Sequence, residues 1–237
     1  MDDLTVIYYT ANRIKPPLMG AVVEQLKKAV GDSPIVSVSQ KPIGLGINVC
    51  VGNIGQSVWN IYHQMLMGAR VAKTTYVAMA EDDILYPYEH FHTQYPANGE
   101  FLYDTNRRLI FTWKTPMFST KGRIITGMLM CEREGLIEAL EERFDKYPTP
   151  ESIDIKVFGE VGRNEKEMGL TVRKVGRFEA TVPSIMVNHE DSISYFYMGK
   201  NKASGVSPVG YIEGWGTARE VLDRCTGEAH ERRVQAS

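Results

Sequence analysis

The chain has 237 residues and a formal net charge of −2, which suits one compact globular domain. Its near-neutral balance gives no general sign of nucleic-acid binding, and no apolar stretch is long enough to span a bilayer. The acidic start lacks the basic region of a secretory signal peptide. Cys50, Cys131 and Cys225 show neither metal-site spacing nor a disulfide framework, so we expect reduced thiols in a cytoplasm, the host's if the source is viral.

Strands and helices alternate in the prediction for the first ninety residues. A polar loop follows the first strand, and a glycine-rich loop is predicted over residues 41–52. The predicted strands are Leu4–Tyr9, Pro34–Gln40 and Tyr76–Ala80, and the predicted helices begin at Pro17 and Asn53. This alternation predicts a parallel sheet covered by helices.

The second half has a more mixed pattern and no clear linker, so we expect one domain. The predicted strands lie within residues 100–113, 122–132, 170–176 and 180–189, and the predicted helices lie within residues 136–144, 153–168 and 215–225.

Polar residues follow each of the first three strands, where parallel sheets bind their ligands. They are Thr10, Asn12 and Arg13, then Gln40 and Lys41, then Glu81, Asp82 and Asp83. Three adjacent carboxylates repel one another and resist leaving water. They mark either a solvated strand end or a site for a divalent cation.

The ordered motifs YYTANR, SVSQKP, YVAMAEDD and GMLMCEREGLIEALEERF resemble glycosyltransferases of the GT-A fold, over roughly residues 4–189. The resemblance implies a Rossmann-like α/β fold with a mostly parallel central sheet flanked by helices. It also implies transfer of a hexosyl or pentosyl group from a nucleotide-diphosphate sugar, with a UDP-sugar favoured, to a hydroxyl. Residues 1–95 would form the nucleotide-sugar half, residues 96–194 the acceptor half, and residues 195–237 a segment closing on the donor.

The same resemblance implies a Mn²⁺ or Mg²⁺ site at Asp83, since a divalent cation neutralises the leaving diphosphate. His189 matches a late histidine ligand, and imidazole suits Mn²⁺ better than Mg²⁺. His90 and His92 are less favoured ligands, because alternate residues of a short helix point in different directions. The implied donor-binding residues are Thr10, Asn12, Arg13, Gln40, Lys41, Glu81, Asp82, Lys200 and Lys202.

The general base is less well defined. Inverting members of the family use an acid that opens a late helix, and PESIDIKV (150–157) resembles that place. Ser152 stands at the usual base position. Either Glu151 or Asp154 therefore takes the catalytic role, or the enzyme retains configuration and needs no such base. An acid here also complements a helix dipole.

Residues 106–123 carry a local charge of +5 and no acid, with aromatic residues between the cations. Basic groups interleaved with aromatics suit a phosphate backbone and a displaced base, although a solvated sheet edge has the same composition. The candidate acceptor-binding residues are Arg107, Arg108, Trp113, Lys114, Lys121 and Arg123.

The motifs are similar to those of phage enzymes that glycosylate modified DNA bases, so 5-hydroxymethylcytosine in phage DNA is the leading acceptor. A glycan, a protein or a small molecule is the alternative. A non-catalytic nucleic-acid-binding module would explain the basic stretch but not the ordered acids. A sugar-phosphate nucleotidyltransferase would need a glycine-rich loop directly after the first strand, which YYTANRIKPP lacks.

Overall fold

Two main β-sheets and a set of flanking helices build the structure, a computed structural model that describes residues 3–154, 157–192, 195, 198–201 and 205–227. Its strands are β1 (Leu4–Thr10), β2 (Ile35–Ser39), β3 (Ile47–Cys50), β4 (Tyr76–Glu81), β5 (Ile84–Leu85), β6 (Glu100–Asp104), β7 (Arg107–Phe111), β8 (Phe118–Thr120), β9 (Leu129–Glu132), β10 (Lys174–Phe178), β11 (Ser184–Asn188), β12 (Val206–Val209), β13 (Tyr211–Ile212) and β14 (Gly216–Thr217). Its α-helices are α1 (Leu18–Val30), α2 (Val58–Val71), α3 (Tyr88–His92), α4 (Arg133–Lys146), α5 (Glu165–Met168) and α6 (Ala218–Thr226).

The larger sheet has seven strands in the order β10-β6-β9-β4-β1-β2-β3. Only β9 runs antiparallel to its neighbours, β4 and β6. Helices α2 and α4 pack together on one face, and α1 packs with α3 and α6 on the other. The predicted fold class, an α/β domain with a mostly parallel central sheet flanked by helices, is confirmed.

Alternating side chains of the central strands enter two separate cores. In β1, Val6 and Tyr8 join the core that contains Leu26 of α1, whereas Ile7 joins the core that contains Met65 of α2. Because successive strand residues point to opposite faces, both faces of β1 are apolar and buried. None of the described helices is long and apolar enough to cross a membrane.

The register of the sheet brings the exits of three strands to one edge. Thr10 at the end of β1 pairs with Ser39 of β2, and Tyr9 pairs with Glu81 of β4. These parallel strands therefore end side by side, as the sequence predicts, and they deliver their polar loops to the same edge.

The smaller sheet has five strands in the order β12-β8-β7-β11-β5. β5 begins one residue after Asp83 and pairs antiparallel with β11. The backbone N–H of Val187 in β11 donates to the carbonyl of Asp83 at 2.8 Å. This pairing places His189, just after β11, beside the acids that follow β4.

Two predictions of secondary structure are wrong. Residues 47–50, predicted as loop, form the edge strand β3, and a Cβ at Gly46 would lie 2.1 Å from the carbonyl oxygen of Ile35. The glycine there permits close backbone approach rather than a loop. In the predicted 153–168 helix, only Glu165–Met168 is helical among its described residues. Gly162 interrupts it at a φ of 84°.

The second predicted helix also begins later than its sequence suggests. Ser57, not Asn53, is the N-cap of α2, and its hydroxyl accepts from the backbone N–H of Asn60. Residues 53–57 are thereby left as a loop at the edge where β1, β2 and β4 end.

Candidate active site

Glu81 at the end of β4 and the two acids after it, Asp82 and Asp83, are partly exposed, and residues of β1 hold two of them in place. The Tyr9 hydroxyl donates to Glu81 Oε1 at 2.8 Å, and the Thr10 hydroxyl donates to Asp82 Oδ2 at 2.5 Å. Since β1 and β4 are neighbours in register, these bonds follow directly from the sheet. The first strand thus positions the acids as well as presenting its own exit loop.

Tyr86 fixes the backbone behind the acids. Its hydroxyl accepts from the Glu81 N–H at 2.9 Å and donates to the Gly127 carbonyl at 2.8 Å. The Glu81 side chain lies against Gly127, where an added Cβ would come within 2.9 Å of Glu81 Cγ and Cδ. Gly127 leaves the space that the Glu81 carboxyl group occupies.

Burial and mutual repulsion shift the pKa values of two of the acids. Burial, followed by the charge of Asp83, raises the pKa of Glu81 to about 8. The same two causes, in the same order, raise the pKa of Asp82 to about 7. A bound cation would reverse this effect by favouring the ionised carboxylates.

A first cleft of about 570 Å³ opens on one side of the acids. The loop after β1, the start of α2 and the segment after β11 form its walls. Among its lining residues are Thr10, Arg13, Gln56, Asn60, Glu81, Asp82, Asp83, His189 and Asp191. The predicted metal ligands Asp83 and His189 therefore share one cleft with four of the predicted donor-binding residues, Thr10, Arg13, Glu81 and Asp82.

A recess of about 590 Å³ adjoins the first cleft, and Asn12 shapes it. Asn12 Oδ1 accepts from the backbone N–H groups of Gln40 and Lys41, at 2.7 and 2.8 Å. Asn12 has a φ of 54°, a conformation that asparagine tolerates better than most residues. The side chain of Gln40 donates to the Gly55 carbonyl at 2.5 Å. Asn12, Arg13, Gln40 and Lys41 are thus brought together, as predicted.

A second cleft, of about 1180 Å³, lies on the other side of the acids and shares Glu81 and Asp83 with the first. Three predicted acceptor-binding residues line it: Arg107, Lys121 and Arg123. Glu160 and Arg163 also line it, joined by an ion pair of 2.8 Å. The acids therefore form a wall common to two clefts of different composition.

The other three predicted acceptor-binding residues are not among the residues that line this cleft. Trp113 packs edge-on against Phe111 and Tyr195, with ring centroids 5.4 and 5.0 Å away. Lys114 Nζ lies 4.4 Å from the centroid of the Phe111 ring. Arg108 is half-buried on β7. Three of the six predicted acceptor-binding residues therefore line the second cleft, and the other three do not.

Three further predicted site residues, two of them the candidate catalytic acids, do not line either cleft. Glu151 and Asp154 are exposed and line neither cleft. Lys200 is exposed and lies 3.8 Å from Glu190. Lys202 falls outside the described residues. The catalytic role of Glu151 or Asp154 remains a prediction.

Sequence reasoning missed Glu160, which is 8% exposed and lines the second cleft. The buried Arg143 holds its neighbour in place by donating to the Gly159 carbonyl at 2.6 Å. Glu160 lies in irregular chain before α5, where no periodic pattern distinguishes an inward-facing acid from a solvated one. His90 and His92 bind Asp104 and the Ala29 carbonyl instead of facing either cleft.

The residues around Glu81, Asp82 and Asp83 fit a divalent cation whose coordination shell is completed by a bound substrate. Within the described part of the chain, no group of three or more His, Cys, Asp and Glu side chains is arranged as a closed metal site. Mg²⁺ and related ions commonly take one or two carboxylates and complete their shell with substrate phosphates. Asp83 and His189, facing one cleft, offer such an open set.

No family model and no curated protein matches the chain. Among solved structures, it resembles bifunctional IspDF from Campylobacter jejuni at 12% identity and a TM-score of 0.45, over 81% of this chain and 54% of that one. It resembles S. aureus TarS 1–349 at 11% identity and a TM-score of 0.43, over 78% of this chain and 60% of that one. It also resembles a Drosophila β-1,4-galactosyltransferase 7 mutant in complex with manganese, UDP-Gal and xylobiose. The identity is 13% and the TM-score 0.42, over 89% of this chain and 85% of that one.

The chain spans 54% and 60% of the lengths of the first two of these structures. At identities of 13% or less and TM-scores of 0.45 or less, the similarities assign neither an activity nor a ligand to it.

Proposed function

We propose that the chain is a metal-dependent glycosyltransferase of the GT-A type, which moves a sugar from a nucleotide-diphosphate sugar to a hydroxyl. One observation carries this proposal: Glu81 and Asp83 form a wall shared by two clefts. A group-transfer enzyme needs two substrates to meet at one point, and the acids mark such a point. The chain would act as a single domain, with the donor half at 1–95, the acceptor half at 96–194 and the closing segment at 195–237.

The donor would occupy the first cleft and its adjoining recess, and a UDP-sugar is the favoured donor. Thr10, Asn12, Arg13, Gln40 and Lys41 would contact the base and ribose. The two hydrogen bonds from the backbone of Gln40 and Lys41 to Asn12 Oδ1, here called the Asn12 tether, support this role. They hold the polar groups of the two loops in one arrangement. Glu81 and Asp82 would orient hydroxyl groups of the donor, and Lys200 and Lys202 would approach its diphosphate.

Asp83 and His189 would hold Mn²⁺ or Mg²⁺ at the edge of the first cleft. When bound, the cation supplies charge neutralisation for the departing nucleoside diphosphate. The protein's own contribution is to keep Glu81 and Asp82 oriented through Tyr9 and Thr10. Partial burial of the acids strengthens their interaction with the positive charge.

The acceptor would occupy the second cleft, with its hydroxyl directed toward the shared acids. For an inverting reaction, a carboxylate must take the hydroxyl proton. Glu151 and Asp154 are the candidates from sequence, whereas Glu160 lines the cleft together with the shared acids Glu81 and Asp83. The geometry favours Glu160 for this role, because a base must lie within hydrogen-bonding reach of the proton that it takes.

For the acceptor itself, we propose the hydroxymethyl group of 5-hydroxymethylcytosine in phage DNA. The basic residues Arg107, Lys121 and Arg123 support an acceptor with anionic groups. A hydroxyl on a glycan, protein or small molecule would use the same wall of acids.

The test is a donor screen with Mn²⁺, using DNA with and without 5-hydroxymethylcytosine. Release of nucleoside diphosphate reports donor cleavage, and mass spectrometry of the nucleosides reports transfer. We expect a hexose- or pentose-sized mass gain on the modified base. Release without a mass gain would keep the transferase and reject this acceptor. No release from any donor would reject the transferase.

A further inference from the structure

A buried arginine without a carboxylate partner lies in the wall of the second cleft. Arg107 is 4% exposed, and within the described chain its guanidinium forms no ion pair. Its N–H groups donate to Met186 Sδ at 3.2 Å and to the Lys121 carbonyl at 3.3 Å, which are both neutral. A buried cation normally has an anion in contact, because desolvation costs free energy that only a close charge offsets.

The nearby acids act on Arg107 only from a distance. Burial is the main influence on its pKa and lowers it, while Glu81, Asp83 and Glu160 oppose that effect. Glu81 accepts from Tyr9, and Glu160 is paired with Arg163. Neither carboxylate supplies the close contact that a buried guanidinium requires.

Two more cations line the same cleft. Neither Lys121 nor Arg123 forms an ion pair with any residue that the structure describes. Burial, then the charges of Arg123 and Arg107, lowers the pKa of Lys121. Three like charges around one concave surface repel one another, and an anion bound between them removes that repulsion.

We propose that Arg107, Lys121 and Arg123 bind a phosphate group of the acceptor, so that the acceptor is a phosphate ester. This inference rests on the proposed function, which gives the second cleft its acceptor. Three cations suit an anionic phosphate group, to which the planar guanidinium of Arg107 can donate two parallel hydrogen bonds. A carboxylate would need only one such arginine.

The position of the site separates it from the diphosphate of the donor. None of the three cations is among the lining residues of the first cleft or its recess. The acids stand between them and the exit of β1. A phosphate held here would lie on the acceptor side, close to the hydroxyl that reacts. The site therefore places a phosphate near the reacting group, which a neutral glycan does not offer.

The test measures the binding of inorganic phosphate to the full chain, by thermal-shift titration with chloride keeping the ionic strength constant. We expect saturable stabilisation of the wild type. Arg107→Met should weaken phosphate binding at least about tenfold, since one charge-assisted hydrogen bond contributes 1.4 kcal/mol or more. Arg108→Met, the adjacent arginine on β7, is the matched control and should bind like the wild type.

Arg123→Met provides a second variant at an exposed position, in case Arg107→Met does not fold. We expect about threefold or greater loss of phosphate affinity, since it removes one of three charges. No saturable phosphate binding by the wild type would overturn the proposal. Unchanged binding in both Arg123→Met and a folded Arg107→Met would do the same.

A second arm distinguishes acceptor phosphate from donor diphosphate. UDP affinity in the presence of Mn²⁺ should stay within twofold in Arg123→Met, and phosphate should not compete with UDP. Competition together with a parallel loss of UDP affinity would assign the cations to the donor and reject the proposal. Increased Mn²⁺ affinity with unchanged phosphate affinity would show that the cations only balance the charge of the acids, and would also reject it. Nucleoside diphosphate release tests the glycosyl transfer separately, so either proposal can fail alone.

Discussion

The two clefts on either side of the acids are held in shape by different forces. In the first, neutral groups hydrogen-bond one another: Asn12 binds the N–H groups of Gln40 and Lys41, and Gln64 donates to the carbonyls of Thr10 and Val38. In the second, Arg107, Lys121 and Arg123 form no ion pair with any described residue, and they share the cleft with Glu81 and Asp83. Hydrogen bonds between neutral groups shape the first cleft, whereas three cations of the second form no ion pair with any described residue.

This difference indicates how each cleft would respond to its ligand. A hydrogen-bonded wall is preorganised, so it selects a ligand by shape and loses little entropy on binding. Cations without a carboxylate in contact gain stabilisation when an anion binds between them, and that gain falls with ionic strength. Substitutions should therefore act on the first cleft through geometry and on the second through charge.

Substitution of Asp83 should give the largest loss of activity, because Asp83 lines both clefts. Asp83→Asn keeps the shape but removes the proposed metal ligand, and metal ions supply several kcal/mol of transition-state stabilisation. We expect metal-dependent release of nucleoside diphosphate to fall at least about 100-fold. Glu89→Gln, an acid on α3, is the control and should leave activity unchanged. Full activity of Asp83→Asn would remove the metal site from the mechanism.

The base on the acceptor side should give the next largest effect. Glu160→Gln should lower kcat about 100-fold in an inverting reaction, within the range for general bases. Glu151→Gln and Asp154→Asn should stay within about threefold, because their exposed carboxylates line neither cleft. A large loss of kcat in Glu151→Gln or Asp154→Asn, with little loss in Glu160→Gln, would assign the catalytic role to Glu151 or Asp154 instead. The comparison of kcat and KM separates loss of proton transfer from loss of acceptor binding.

Breaking the tether of the first cleft should act on donor binding. Asn12→Ala removes both bonds to the 40–41 backbone and adds strain at a positive φ. We expect the KM for the nucleotide sugar to rise about tenfold, with about 1–3 kcal/mol lost in unfolding free energy. Asn12→Gly removes the bonds without the strain, so it should share the KM effect but lose less stability. An unchanged KM in both variants would contradict a role for this tether.

The smallest expected effect is a pH-dependent change in stability without divalent metal. Folding raises the pKa of Glu81 from its ordinary 4.5 to about 8, so its stabilising contribution is complete below about pH 4.5 and lost as the pH rises through 8. Glu81→Gln keeps an acceptor for Tyr9 but cannot ionise. In EDTA, its Tm should exceed the wild-type Tm by roughly 3 °C or more at pH 8.5. The two proteins should be equal near pH 4.5.

The donor edge could be predicted from sequence because its elements are periodic. Buried parallel strands read as apolar runs, and the polar residues that end β1, β2 and β4 must meet once the strands are neighbours. The pairing of Tyr9 with Glu81 required the register, which no local pattern contains. The donor side therefore follows from strand order, and its individual bonds do not.

The acceptor side was harder to predict because irregular chain builds it. Apolar spacing over 153–168 suggested a helix, but glycines at 159 and 162 and the packing of Phe158 beside Arg143 hold this segment in an irregular path. Its cleft-lining acid, Glu160, carries no local signal. Similarly, the basic stretch has uniform composition, yet only three of its six candidate residues line the cleft. Tertiary packing, not composition, decided which of them face inward.

Gly127 offers a way to separate folding from function at this site. The three atoms nearest to the Cβ that an alanine would add are Glu81 Cδ and Cγ at 2.9 Å and Ile84 Cδ1 at 3.0 Å, all of them in side chains. Because a side chain can move where backbone cannot, Gly127→Ala should remain folded while its methyl group pushes the Glu81 carboxyl group out of position. Because the other residues of both clefts would be unchanged, this variant should still bind both substrates, and it could be used to capture them before they react.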